Sequence, residues 1–113
     1  MRRIIAFKGY FKRFYNSLDQ KERDKVDRVL LLMQSEDRMP LHYIRPLREA
    51  IYELRFSVPN KELRILFIFD GEQLVILLNC FVKKTQKTPE KEIEKALRLK
   101  KEYYEAKRQS RVL

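Results

Sequence analysis

The chain has 113 residues, 44% hydrophobic and 37% charged, with a formal net charge of +10. A chain of that length makes one domain, residues 1–113, and buries about 65% of its unfolded surface, enough for a core without metal or disulfide support. The composition excludes a disordered or membrane-embedded protein, and the lone Cys80 excludes a disulfide framework.

The opening MRRIIAFKGYF is basic and then briefly apolar. It lacks the apolar stretch of roughly 7–15 residues that a signal peptide needs, so a cytoplasmic protein is expected. RRIIAF reads as a short first strand. From YFKRFYNSL to MQSE the pattern is helical, and Ser17 with Gln20 fits a capping box that divides it into a hairpin of two helices. Val26, Val29, Leu30 and Met33 follow the spacing of a core face on the second helix. Pro40 and Pro46 then bracket an irregular or short helical connection.

IYELRFSV and ELRILFIF are rich in strand formers and are joined by PNK, a plausible hairpin turn. After the turn DGE comes LVILLNCFV, whose unbroken apolarity predicts a central strand covered on both faces. Cys80 lies inside that run and reads as a small buried hydrophobe. Thr88 is placed to cap a last helix, with Pro89 at its first position and Glu90, Glu92 and Glu94 near its positive end. Ile93, Ala96, Leu97 and Tyr104 mark the buried stripe of that helix. The order β–α–α–β–β–β–α predicts an α+β domain, an antiparallel sheet packed by an N-terminal helical hairpin and a C-terminal helix.

Basic residues fall where such a sheet should be dry. Arg64 sits among apolar neighbours in ELRILFIF, and an arginine is almost never buried without a partner. Glu53 and Arg55 alternate on the neighbouring strand and share one face, so they either pair with Arg64 or flank the same groove. Arg45 and Arg48 surround Pro46–Leu47 just before that strand. Lys83, Lys84 and Lys87, with Thr85 and Thr88, emerge where the apolar strand meets a helix N-terminus, a combination suited to phosphate. Residues 83 to 111 hold eleven Lys and Arg against five Asp and Glu, which points to an anionic partner. There is no glycine-rich phosphate loop, no paired-cysteine motif and a single histidine, His42, in a loop. No metal or other cofactor is expected, and any catalysis would be carried by cations.

The stretch IYELRFSVPNKELRILFIFDGEQLVILLNCFVKKTQKTPEKEIEKA, residues 51 to 96, resembles the RelE/ParE toxin superfamily in its HigB-like branch, which includes phage-derived proteins. The element KKTQKTP carries the resemblance most specifically; the helical hairpin and IRPLRE match more loosely. The resemblance implies a RelE-like fold and the toxin half of a type II toxin–antitoxin pair, with a helix-turn-helix antitoxin as partner. It implies metal-independent mRNA cleavage in the ribosomal A site, by attack of the RNA's own 2′-hydroxyl on the adjacent phosphate. Arg64 then matches the strand arginine that stabilises the phosphate, Lys83 or Lys84 the basic residue at the end of the last strand, and Arg48 a basic residue before the hairpin, with Glu53 as a base. Arg45, Arg55, Thr85, Lys87 and Thr88 would contact RNA. One departure stands out: many relatives carry a tyrosine or histidine soon after the last strand as proton donor, and KKTQKTPEKE has neither. Tyr103 and Tyr104 come later, so proton transfer would fall to Lys83, Lys84 or another lysine. The alternatives are a ParE-like gyrase inhibitor or a catalytically silent RNA-binding relative.

Overall fold

The computed structural model describes residues 1–38 and 40–112. Strand β1 (Arg3–Ala6) leads to helices α1 (Tyr10–Asn16) and α2 (Gln20–Ser35). A single 3-10 turn (Leu41–Tyr43) leads into the short strand β2 (Ile44–Pro46). Strands β3 (Tyr52–Val58), β4 (Lys61–Phe69) and β5 (Leu74–Lys83) follow, and helix α3 (Glu90–Val112) completes the α+β domain. The sheet order is β1-β5-β4-β3-β2, so β4 is central and β5 lies between it and β1. Every pairing is antiparallel except β1 with β5, which is parallel.

The helical stretch divides two residues later than the sequence suggests. Asp19, in an extended conformation, accepts a hydrogen bond from Glu22 N at 2.8 Å, and Glu22 accepts one from Asp19 N at 2.9 Å. Ser17 instead ends α1, donating to the Phe14 carbonyl. An aspartate accepts from the free N–H groups of a helix start as a serine does. The segment between Pro40 and Pro46, expected as a connection, supplies the edge strand β2.

Alternation along β4 explains the layers. Leu63, Ile65 and Phe67 face one side, where they meet Val26, Val29 and Met33 of α2. Leu66 and Ile68 face the other, where Ala96 and Leu99 of α3 cover them. All ten of these side chains are essentially inaccessible, and burying a large one contributes ~1.5–3 kcal/mol. Cys80 packs against the first core, and burial pushes its thiol up to about 12. Val58 pairs with Lys61, so Pro59 and Asn60 alone make the β3–β4 turn; Asn60 takes the positive φ of 65° that follows a proline in a type II turn.

Two ties fix the periphery. Arg2 donates to the carbonyls of Met33, Glu36 and Asp37, capping the C-terminal end of α2 with a cation. Among the described residues, no helix is long and apolar enough to cross a membrane. On α3, the Tyr103 hydroxyl donates to Asp70 at 2.6 Å, and Lys107 reaches the same carboxylate at 2.7 Å. Burial, then the Asp70 bond, pushes the Tyr103 phenol up to about 12. The unfolded phenol ionises near ~10. The raised value therefore contributes stability that is complete below about pH 10 and disappears as pH climbs towards about 12. Denaturant titrations across that window should show wild type losing more stability than Tyr103→Phe; parallel losses would mean that the Asp70 bond does not couple to folding.

Candidate active site

Beyond Leu66, the α3 side of the sheet turns from apolar to charged. Strand register builds this face: Arg45 lies opposite Glu53, Arg55 opposite Arg64, and Glu62 between Ser57 and Lys83. Arg64 is only 5% exposed and Glu53 is wholly buried. Arg64 Nε stands 3.7 Å from Glu53 Oε1, and its Nη1 donates to the Leu63 carbonyl at 2.9 Å. A second carboxylate, Glu62, lies 3.8 Å from Nη1. Desolvation lowers the Arg64 pKa, against the pull of Glu53 and then Glu62. Glu53 Oε1 and Arg64 Nε both lack a hydrogen-bond partner, although each is inaccessible to water. Two arginines directly opposite each other repel, so this arrangement needs the flanking carboxylates.

Glu53, expected as a base, is enclosed by the protein. Its carboxylate has no exposed surface, and its Oε2 accepts a hydrogen bond from the Thr88 hydroxyl. It faces Arg64 from inside the protein and does not open to a ligand. Thr88, expected to cap the last helix, instead gives its hydroxyl proton to Glu53, and the N–H groups of Glu92 and Ile93 bond to the Pro89 carbonyl, which puts Pro89 just ahead of the helix.

The basic loop does not gather its lysines in one place. Lys87 and Thr88 line a cleft of about 390 Å³ with Arg45, Arg48 and Glu90. Lys83 and Lys84 line a separate depression with Asn60, Lys61 and Glu62. Thr85 donates to the Lys87 carbonyl at 2.7 Å and so folds the loop on itself. Arg48 makes a two-pronged ion pair with Glu90, in which Nη1 donates to Oε2 at 2.9 Å, and it lies 3.4 Å from Glu49. The Glu90 bond raises the Arg48 pKa and lowers that of Glu90.

Arg55 and Arg64 share a third depression, of about 330 Å³, with Lys25, His42, Tyr43 and Glu62. His42 and Tyr43 are residues that sequence reasoning left out of the site. The His42 ring lies on that of Tyr43 with centroids 4.0 Å apart, and the Lys25 ammonium stands 5.7 Å from the Tyr43 centroid. No spacing in the sequence links these residues; β2 begins only at Ile44 and leaves the 3-10 turn beside the open part of β3.

Behind the charged face, Asn79 lies in a bulge of β5 and is 1% exposed. Its Nδ2 donates to the carbonyl oxygen of Glu92 and to its side chain, at 3.0 and 2.9 Å, pinning the first turn of α3.

With this geometry in view, residues 13–101 match the model of the phage-derived Gp49-like protein family. The chain belongs to that family. The match spans most of the chain and places it in the RelE/HigB-like group that the KKTQKTP element resembles. Two curated relatives from Mycobacterium tuberculosis, one in strain H37Rv and one in strain CDC 1551, are each named "Probable endoribonuclease HigB1". Each is 36% identical over 104 residues, covering 81% of this chain and 82% of the relative.

In this Gp49-like chain, Arg48 is held by an unusual turn. Glu49 and Ala50 both take positive φ, 52° and 62°, while Ile51 N donates to the Arg48 carbonyl at 3.0 Å. Such a turn favours glycine or asparagine at both positions; a residue with a Cβ costs ~1–2 kcal/mol there. The Lys100 ammonium braces it by donating to the Glu49 carbonyl. Ala50→Gly should therefore raise unfolding stability by about 0.5–1 kcal/mol, after subtracting the greater chain entropy of glycine. Equilibrium denaturation checks this, and a loss of stability would show that Ala50 carries no strain.

Proposed function

We propose that the protein is the toxin of a type II toxin–antitoxin pair and cleaves mRNA on the ribosome without a metal. One observation carries the reading: a buried arginine, Arg64, opens with Arg55 onto a depression that also holds Lys25 and His42. Cations arranged this way suit a transition state in which phosphate accumulates negative charge. The endoribonuclease name of the mycobacterial relatives supports the reaction class.

In this reading the 2′-hydroxyl oxygen attacks the neighbouring phosphorus and the bond to the 5′ oxygen breaks. A 2′,3′-cyclic phosphate and a 5′-hydroxyl result. Arg64 and Arg55 stabilise the phosphoryl oxygens. Lys83 or Lys84 transfers protons, while Arg45, Arg48, Lys87 and Thr85 hold the RNA backbone. The ribosome orients the 2′-hydroxyl for in-line attack, a proximity contribution that a small domain lacks alone. The partner is an acidic segment of a helix-turn-helix antitoxin, drawn to the basic face by charge complementarity.

Purified protein should cleave mRNA only when ribosomes are present, and EDTA should not change the rate. Arg64→Ala should lower that rate by ~10²–10³-fold. Arg64→Ala also strands Glu53 in the interior at a cost of about 3–5 kcal/mol, so Arg64→Lys belongs beside it. The lysine keeps the charge but loses the planar fork, and at least a tenfold loss (about 1.4 kcal/mol) is expected. Cleavage of free mRNA that EDTA stops would overturn the mechanism. No cleavage under any condition, with gyrase inhibited, would favour the ParE-like reading.

A further inference from the structure

We infer that Thr88 and Glu53 are positioning residues that lock the basic loop and Arg64 into one unit; as a statement about cleavage, this rests on the proposed function. Glu53 is wholly buried and its two oxygens are divided between two elements. Oε2 accepts from the Thr88 hydroxyl at the end of the loop, and Oε1 faces Arg64 Nε at 3.7 Å. One carboxylate therefore sets the distance between the loop after β5 and the arginine of β4.

The unpartnered atoms give the arrangement its direction. Buried polar atoms are nearly always hydrogen-bonded, and those that are not call for a reason. Here two of the three such atoms among the described residues, Glu53 Oε1 and Arg64 Nε, face each other. They are held by charge, just beyond hydrogen-bond length. A shift of less than ~1 Å would close them into a charge-assisted bond. Thr88 limits that shift from the other side, because its bond fixes where the carboxylate can turn. Arg64 thus keeps its Nε towards Glu53 and its Nη1 on the Leu63 carbonyl, while its side chain lines the depression shared with Arg55. Lys87, one residue before Thr88, is carried by the same tie and lines its cleft with Arg45 and Arg48.

A threonine hydroxyl is a small group, so its removal separates positioning from bulk. Thr88→Val keeps the shape and deletes the donor; Thr88→Ser keeps the donor. The test records the Arg64 Nε–H resonance by NMR and amide exchange over residues 83 to 88, with steady-state cleavage measured alongside. In Thr88→Val the resonance should broaden or move and the loop should exchange faster. Turnover should fall by about tenfold or more with KM within about twofold, since misplacing a charged group by ~1 Å costs up to ~10²-fold. Thr88→Ser should restore all of these. An unchanged resonance and loop in Thr88→Val overturns the inference whatever the activity. A changed resonance with full turnover overturns the catalytic role. If wild type cleaves no RNA, the proposed function fails, and the coupling is then decided by the NMR arm alone. If Thr88→Val does not fold, Glu53→Gln serves instead: it keeps an acceptor for Thr88 and removes the charge facing Arg64, so the Arg64 resonance must move, and a resonance identical to wild type overturns the inference.

Discussion

A guanidinium placed inside a sheet must be matched by an anion, and that requirement organises this molecule. Arg64 points to the same side of β4 as Leu66 and Ile68, yet it cannot share their apolar cover. Glu53 answers it from β3, one strand away and diagonally placed in the register. Removing either partner leaves a charge in the interior, so the two are coupled in folding. Arg45 opposite Glu53 and Arg55 opposite Arg64 extend the pattern into a charged patch in which cations predominate.

The helices are placed to leave that patch uncovered. Helix α2 seals one face of the sheet, and α3 covers only the apolar part of the other. Asn79 stops α3 from sliding over the charged part, because it holds the Glu92 turn at a fixed point on β5. The Arg48–Glu90 pair holds the same end from the opposite side. The start of α3 therefore forms one wall of a cleft, and residues Arg45 to Arg48, just before the strained turn at Glu49 and Ala50, form another.

The elements with strong periodicity were legible in the sequence. The core stripe of α2, the β3–β4 hairpin and the continuous run of β5 all lie where patterning put them, because burial on one or two faces dictates residue type directly. Charge inside ELRILFIF was legible for the same reason. What was not legible depended on contacts distant in sequence. The Ser17–Gln20 spacing satisfied a capping pattern, but Asp19 with Glu22 satisfied it better and also set Glu22 3.0 Å from Lys61 on β4. Thr88 looked like a helix cap because its neighbours are a proline and glutamates; only the folded chain brings Glu53 within reach. The lysines of KKTQKTP are adjacent in sequence, yet the loop bends through the Thr85–Lys87 bond and sends them to different depressions. His42 gave no signal at all, since the edge of a short strand brings it to the site.

The parallel pairing of β1 with β5 bears on how the molecule is made. Arg3 to Ala6 find their partners only at Leu74 to Leu77, about seventy residues later in synthesis. A ribosome must therefore have released residues 74 to 77 before β1 can join the sheet, and α3 follows later still. Contacts of such long sequence separation slow folding, because the intervening chain must be closed before they form. Until then the arginines of β3 and β4 have no finished second face beside them. The newly made chain thus acquires its basic surface only after β5 and α3 have emerged, and a lesion in β1 would show itself in the rate at which the protein matures.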